Sequence, residues 1–221
     1  MAAEAPELVV AAREGHWDTV SLKVRKGQED PNVPDSTGLT VLILAADRGR
    51  KEMVKTILDA HADPNHAAQS GVTALHVAAY KNDTHVATLL LERRADANQA
   101  VTKGVTPLFL ACFKGNVAMS QLLCTKGMAD LELGASSVGI TPLFCAAEKG
   151  FREVVRVLIA ERHKRQESQA GIEALPNQQD AAEQDAESPV QGRSLGPPSD
   201  SPSSGDGSPP AHPGEVTFGD I

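Results

Sequence analysis

Three sets of residues in this 221-residue chain could do chemistry. The cysteines, Cys112, Cys124 and Cys145, stand 12 and 21 positions apart. Zinc is held by closely spaced cysteine and histidine pairs, and disulfide frameworks use even cysteine counts. The three thiols therefore read as small buried hydrophobes. The histidines and carboxylates form no H-E-x-x-H, G-x-S-x-G or phosphate-loop pattern, so hydrolysis, acyl transfer and nucleotide chemistry have no motif to rest on. No enzyme, cofactor or metal is expected. The third set differs. Arg48, Lys81, Lys114 and Lys149 recur at nearly constant intervals, and Tyr80 and Phe113 immediately precede two of them. A row of cations beside an aromatic pair offers recognition rather than reaction: charge complementarity for an acidic segment, with apolar anchors for a peptide.

A row of this kind needs a repeating scaffold, and the chain contains one. GLTVLILAADRG (38–49), GVTALHVAAYKN (71–82), GVTPLFLACFKG (104–115) and GITPLFCAAEKG (139–150) are copies of one segment, with leading glycines spaced 33, 33 and 35 apart. Each copy opens on a glycine turn and a threonine placed to cap a helix, as at Thr40 or at the Thr106-Pro107 and Thr141-Pro142 pairs. An amphipathic second helix follows, marked by Met53, Val54, Ile57 and Leu58, by Val86, Leu89, Leu90 and Leu91, and by Val154, Val155, Val157, Leu158 and Ile159. A degenerate copy precedes them, with Leu8–Ala12 and Gly15 as first helix and Val20, Leu22 and Val24 as second. Trp17 reads as a packing residue at the end of the stack.

A period near 33 with a T-P-L-H-x-A-like helix start resembles the ankyrin repeat family over residues 4–163. The resemblance implies an all-α ankyrin-repeat α-solenoid with short β-hairpin fingers. Its five repeats would span about 4–37, 38–70, 71–103, 104–138 and 139–163. His76 stands at the histidine of the motif, whose ring in the family ties turns together by hydrogen bonds. HADPN (61–65) and RADAN (94–98) match the family's G-A-D-x-N turn, with His61 and Arg94 in place of a glycine that is normally left-handed. A side chain there costs on the order of 1 kcal/mol, so the second and third repeats are expected to fray before the fourth, where Lys126-Gly127 ends the second helix. Asn65 and Asn98 match turn asparagines that oxygen-dependent hydroxylases modify in some members, although hydrogen bonding in the turn is the plainer reading.

The resemblance also implies where partners meet the chain: the concave face, formed by finger tips and the exposed ends of the first helices. Equivalent positions align into columns. One column reads Arg13, Asp47, Tyr80, Phe113, Glu148, and the other reads Glu14, Arg48, Lys81, Lys114, Lys149. The binding set expected is Arg48, Tyr80, Lys81, Phe113, Lys114 and Lys149, with Ser70, Val72, Lys103 and Val105 from the fingers. Ser36, Thr37, Leu39, Gln69, Thr102, Ser137, Val138 and Ile140 also match variable finger positions. The implied function is non-catalytic protein binding, as an adaptor or scaffold. The alternatives are an inhibitor that masks an enzyme or transcription factor, and a substrate receptor of a ubiquitin ligase. The partner expected is a protein, in the form of an extended acidic peptide with an apolar anchor, and the chain itself is expected to be a monomer.

Charge divides the chain. Residues 1–163 are nearly neutral, at −1, whereas 164–221 carry −7. A neutral folded part gives no bulk attraction to nucleic acid or to anionic membrane. No apolar run approaches a membrane span, and the first residues lack the pattern of a secretory leader. Reduced thiols without a leader point to the cytoplasm or nucleus. The organisation expected is a repeat domain at 1–168 and, from 169 to 221, a disordered acidic tail rich in Pro, Ser and Gln. The final Val216–Ile221 is more apolar and reads as a frayed end or a docking peptide. The acidic tail is complementary to the basic column and could compete there with a partner.

Overall fold

The computed structural model describes residues 6–134 and 139–173. Over these residues the chain is a succession of helix pairs: α1 (Glu7–Glu14) with α2 (Trp17–Arg25), α3 (Val41–Asp47) with α4 (Lys51–Asp59), α5 (Ala74–Lys81) with α6 (Thr84–Glu92), α7 (Pro107–Lys114) with α8 (Val117–Thr125), and α9 (Pro142–Glu148) followed by α10 (Arg152–Glu173). First helices pack on first helices from α1 to α9, and second helices on second helices from α2 to α8. The small residues of the motif make this possible. Ala45, Ala46, Ala78, Ala79, Ala111 and Cys112 are fully buried where neighbouring first helices approach. Residues up to Glu167 form one compact unit. The described part of the second unit, which begins at Ser168, is the end of α10.

The helix starts follow the local chemistry. The hydroxyls of Thr73, Thr106 and Thr141 accept the N–H groups of His76, Phe109 and Phe144, and Pro107 and Pro142 occupy the first turn, where the missing N–H costs nothing. Thr40 has the extended cap backbone, but its hydroxyl makes no capping bond.

The sequence expectations need five corrections here. No strand occurs among the described residues, only an isolated bridge at Ile140. The fingers are tight turns, each closed by two backbone bonds across one residue pair: Asp35 N–H to Leu39 O, Ala68 N–H to Val72 O and Val101 N–H to Val105 O, with Gly38, Gly71 and Gly104 N–H returning to Asp35, Ala68 and Val101 O (2.8–3.0 Å), and no ladder extends beyond them. Leu22 faces solvent, and α2 buries Trp17, Val20 and Val24 instead. Of the residues expected to face inward on α10, Val154 and Leu158 are buried, Val155 and Val157 are half-buried, and Ile159 is exposed. In the fourth repeat the left-handed residue is Met128 (φ 49°) rather than Gly127. The chain leaves α8 one residue later than its counterparts: Ala129 N–H reaches back to Leu123 O, whereas Ala62 and Ala95 bond Ile57 O and Leu90 O. Gly127 is needed for a different reason, since a Cβ there would sit 2.7 Å from Leu123 O and 3.0 Å from the Ala97 Cβ.

The fifth correction concerns α10, which continues to Glu173, past the expected start of disorder at Gln169. Its extension is rich in helix formers and contains no proline. The remainder of the expected tail, including Val216–Ile221, and finger residues Ser137 and Val138 lie outside the described residues.

Candidate functional site

The strip that carries the residues expected to bind a partner begins with the helix ends. α5 and α7 stop at residues in left-handed conformation, Asn82 (φ 59°) and Gly115 (φ 73°), so the preceding pairs, Tyr80-Lys81 and Phe113-Lys114, occupy the last turn of each first helix. The stacking of first helices then sets each pair against the next. Lys81 Nζ lies 2.8 Å from Asp47 Oδ1 and also donates to the Asp47 carbonyl. Lys114 Nζ lies 4.2 Å from the ring centroid of Tyr80. Lys149 Nζ lies 4.0 Å from that of Phe113. Lys81, Lys114 and Lys149 thus each reach back to the other-column residue of the preceding repeat. The two columns therefore form a single interlocked strip across the second to fifth repeats. Cations over aromatic faces contribute roughly 0.5–1 kcal/mol each at exposed sites.

Arg48 begins the strip and is exposed; its guanidinium is 3.7 Å from the carboxylate of its neighbour Asp47. Tyr80 and Phe113 are half-buried, and Phe113 stacks on Phe109 with centroids 6.5 Å apart. Among the finger residues, Lys103 is exposed and holds a left-handed backbone (φ 69°), while Ser70 is half-buried. Val72 and Val105 must be removed from the exposed set: they are 8% and 3% exposed. The reason is the turn itself. Their carbonyls close the fingers, and Val105 O also faces the buried imidazole of His76 at 3.2 Å. Gln69 joins neighbouring fingers through Thr37 O at 3.1 Å and Ser36 O at 2.8 Å.

His76 holds the strip's scaffold together. Its Nδ1 accepts from Thr73 N–H (3.3 Å) and lies 2.8 Å from Thr73 Oγ1. Its Nε2 faces Val105 O, which can only accept, so the proton resides on Nε2. Burial pushes its pKa down to about 4, against the opposing effect of carbonyl partners. The ring is thus neutral and structural. Burial likewise pushes the thiols of Cys112, Cys124 and Cys145 up to about 12, 11 and 11, which keeps them protonated and unreactive.

A second regularity, the turn hydrogen bonding expected for Asn65 and Asn98 and shared by Asn32, runs along the turns that follow the second helices. Asn32, Asn65 and Asn98 each accept, through Oδ1, the N–H of the next repeat's Asp63, Asp96 and Asp130, all at 2.7 Å. Each of those aspartates accepts the N–H two residues on, at 2.8 Å. Asn65 also donates to Arg94 O at 3.2 Å. The spacing of Asn32, Asn65 and Asn98 was the available signal.

Among the described residues no group of three His, Cys, Asp or Glu side chains is placed to hold a metal, and no helix is long and apolar enough to cross a membrane. The family model for ankyrin repeats (3 copies) matches residues 8–101 and 94–169. None of the curated proteins compared with the chain matches it.

Proposed function

The chain belongs to the ankyrin repeat family, and from that premise we propose that it is a non-catalytic interaction module, an adaptor that binds a protein through the first-helix strip. Ankyrin repeats bind protein partners, which is the coarse function. The observation that carries the finer reading is the strip itself: Tyr80 and Phe113 lie under Lys114 and Lys149, with Lys81 and Arg48 alongside. An aromatic face with a cation over it presents both an apolar anchor and positive charge, a combination suited to an extended acidic peptide with an apolar side chain. Ser70 and Lys103 extend the site onto the fingers, whereas Val72 and Val105 act as its supports.

The test is binding of a recovered partner to the wild type and to the Tyr80→Ala/Phe113→Ala double variant. Loss of binding by about tenfold or more, in a variant that keeps wild-type helicity by circular dichroism at the assay temperature, supports the site. Full binding by the double variant rejects it. Whether the bound partner loses activity or merely changes location separates an inhibitor from an adaptor.

A further inference from the structure

The two ends of the stack are built differently. At the first repeat, Lys23 stands where α4, α6 and α8 carry the buried Ile57, Leu90 and Leu123. Its ammonium is paired with Glu7 and with Glu29 Oε1 at 2.7 Å. This end is closed by ions, as a terminal repeat should be.

The last repeat has no such substitution. Phe144 of α9 occupies the position of Ile43, His76 and Phe109 in the preceding first helices. Those three are 3%, 0% and 6% exposed because the next repeat covers them, whereas Phe144 is 56% exposed. Ile159 of α10 follows the same trend: its counterparts Leu58 and Cys124 are buried and Leu91 is half-buried, whereas it is 41% exposed. Ala147, Gly150 and Val155 line a groove of about 520 Å³ between the two helices, with Arg152 and Arg156 on its edge. In the fourth repeat the equivalent glycine, Gly115, is covered by the Phe151 ring, 2.7–3.0 Å from where a Cβ would stand. Nothing lies within 4 Å of that point at Gly150. The end face therefore has the chemistry of an inter-repeat interface.

We propose that a second copy of this chain covers this face, the two C-terminal ends meeting about a two-fold axis. The face is self-complementary. It carries both the projecting rings and aliphatics (Phe144, Ile159) and the groove that could receive them. Its rim carries both signs in equal number, Arg152 and Arg156 beside Glu148 and Glu153, so no field of a single sign opposes the approach of a second copy. At the N-terminal end the ion-paired Lys23 stands where the other second helices carry apolar side chains, so a head-to-tail contact, and the filament it would generate, would have to cover that charge and is disfavoured. The proposed closed dimer differs from the monomer expected from sequence, and the mass of the chain in solution decides between them. This inference does not rest on the first-helix strip, which it adjoins at Glu148 and Lys149.

Sedimentation equilibrium of the full chain tests it. The weight-average mass should rise with concentration from 23.3 kDa toward twice that value. Phe144→Glu should hold it at one chain, and so should Ile159→Lys on the other helix of the face, each with wild-type helicity by circular dichroism. Leu22→Glu at the opposite end should still dimerise. A wild type that stays at one chain at every concentration overturns the proposal. So does a dimer that survives both end-face substitutions, or one that is lost only with Leu22→Glu.

Discussion

The ammonium of Lys149 lies 4.0 Å from the ring centroid of Phe113, so a cation of the fifth repeat is held by an aromatic of the fourth. This contact couples the end of the stack to its middle. A double-mutant cycle with Lys149→Met and Phe113→Leu, read by urea denaturation, should give a coupling energy of about 0.5–1 kcal/mol. Additive effects would mean that the pair contributes nothing to stacking.

Two neighbouring positions in the fourth turn should respond in opposite directions. Met128 holds φ 49° with an exposed side chain, so Met128→Gly should stabilise by about 1 kcal/mol. Gly127→Ala should destabilise by about 1–3 kcal/mol, because the new methyl meets the Leu123 carbonyl and the Ala97 methyl. Arg94→Gly, at φ 64°, should raise the melting temperature as Met128→Gly does, by roughly 2–4 °C. Thermal melts of the three variants decide the matter, and a lower melting temperature for Arg94→Gly would contradict the strain assigned to that turn.

Stability should fall as pH drops from neutral toward 5. His76 is neutral in the fold, with a pKa pushed down to about 4 against an ordinary 6.5. Below pH 6.5 the unfolded chain takes up a proton that the fold refuses. The stabilisation is complete above 6.5 and is lost progressively down to about pH 4. Roughly 2 kcal/mol should already be gone at pH 5. Glu29, Asp35, Asp59 and Glu92 also have lowered pKa values, but the stability they contribute is lost mainly below the ordinary carboxylate range. Denaturation at pH 7 and pH 5 of wild type beside His76→Gln should therefore show a smaller pH dependence in the variant.

Arg165, in the extension of α10, donates to Ala129 O and to Cys124 O, both at 2.8 Å, and to Glu161. One guanidinium thus satisfies the end of α8 and the turn beyond it. Arg165→Met should cost about 1.5–3 kcal/mol. Arg165→Lys should recover only part, since an ammonium cannot form the fork. Hydrogen exchange at the C-terminal end of α8 should accelerate in both variants.

Much of the fold is legible in the sequence because its determinants are local and repeated. The threonine caps and the helix-ending glycines each act within one turn of their own position. The 33-residue period makes their message redundant, and the family match over 8–169 agrees with it. The candidate strip was half legible: its columns followed from the period, but its contacts did not.

What the sequence by itself determined is the repeat, the helix pairs and the residue types along the first-helix ends, since backbone capping and the periodic spacing of apolar residues need no knowledge of neighbours. Only the tertiary structure decided which residues those side chains meet. Lys114 and Lys149 find Tyr80 and Phe113 because each repeat is displaced onto the one before it. Val72 and Val105 turn inward because their carbonyls close the fingers. Phe144 stands open because burial in a stack is conferred by the next repeat, not by the residue itself.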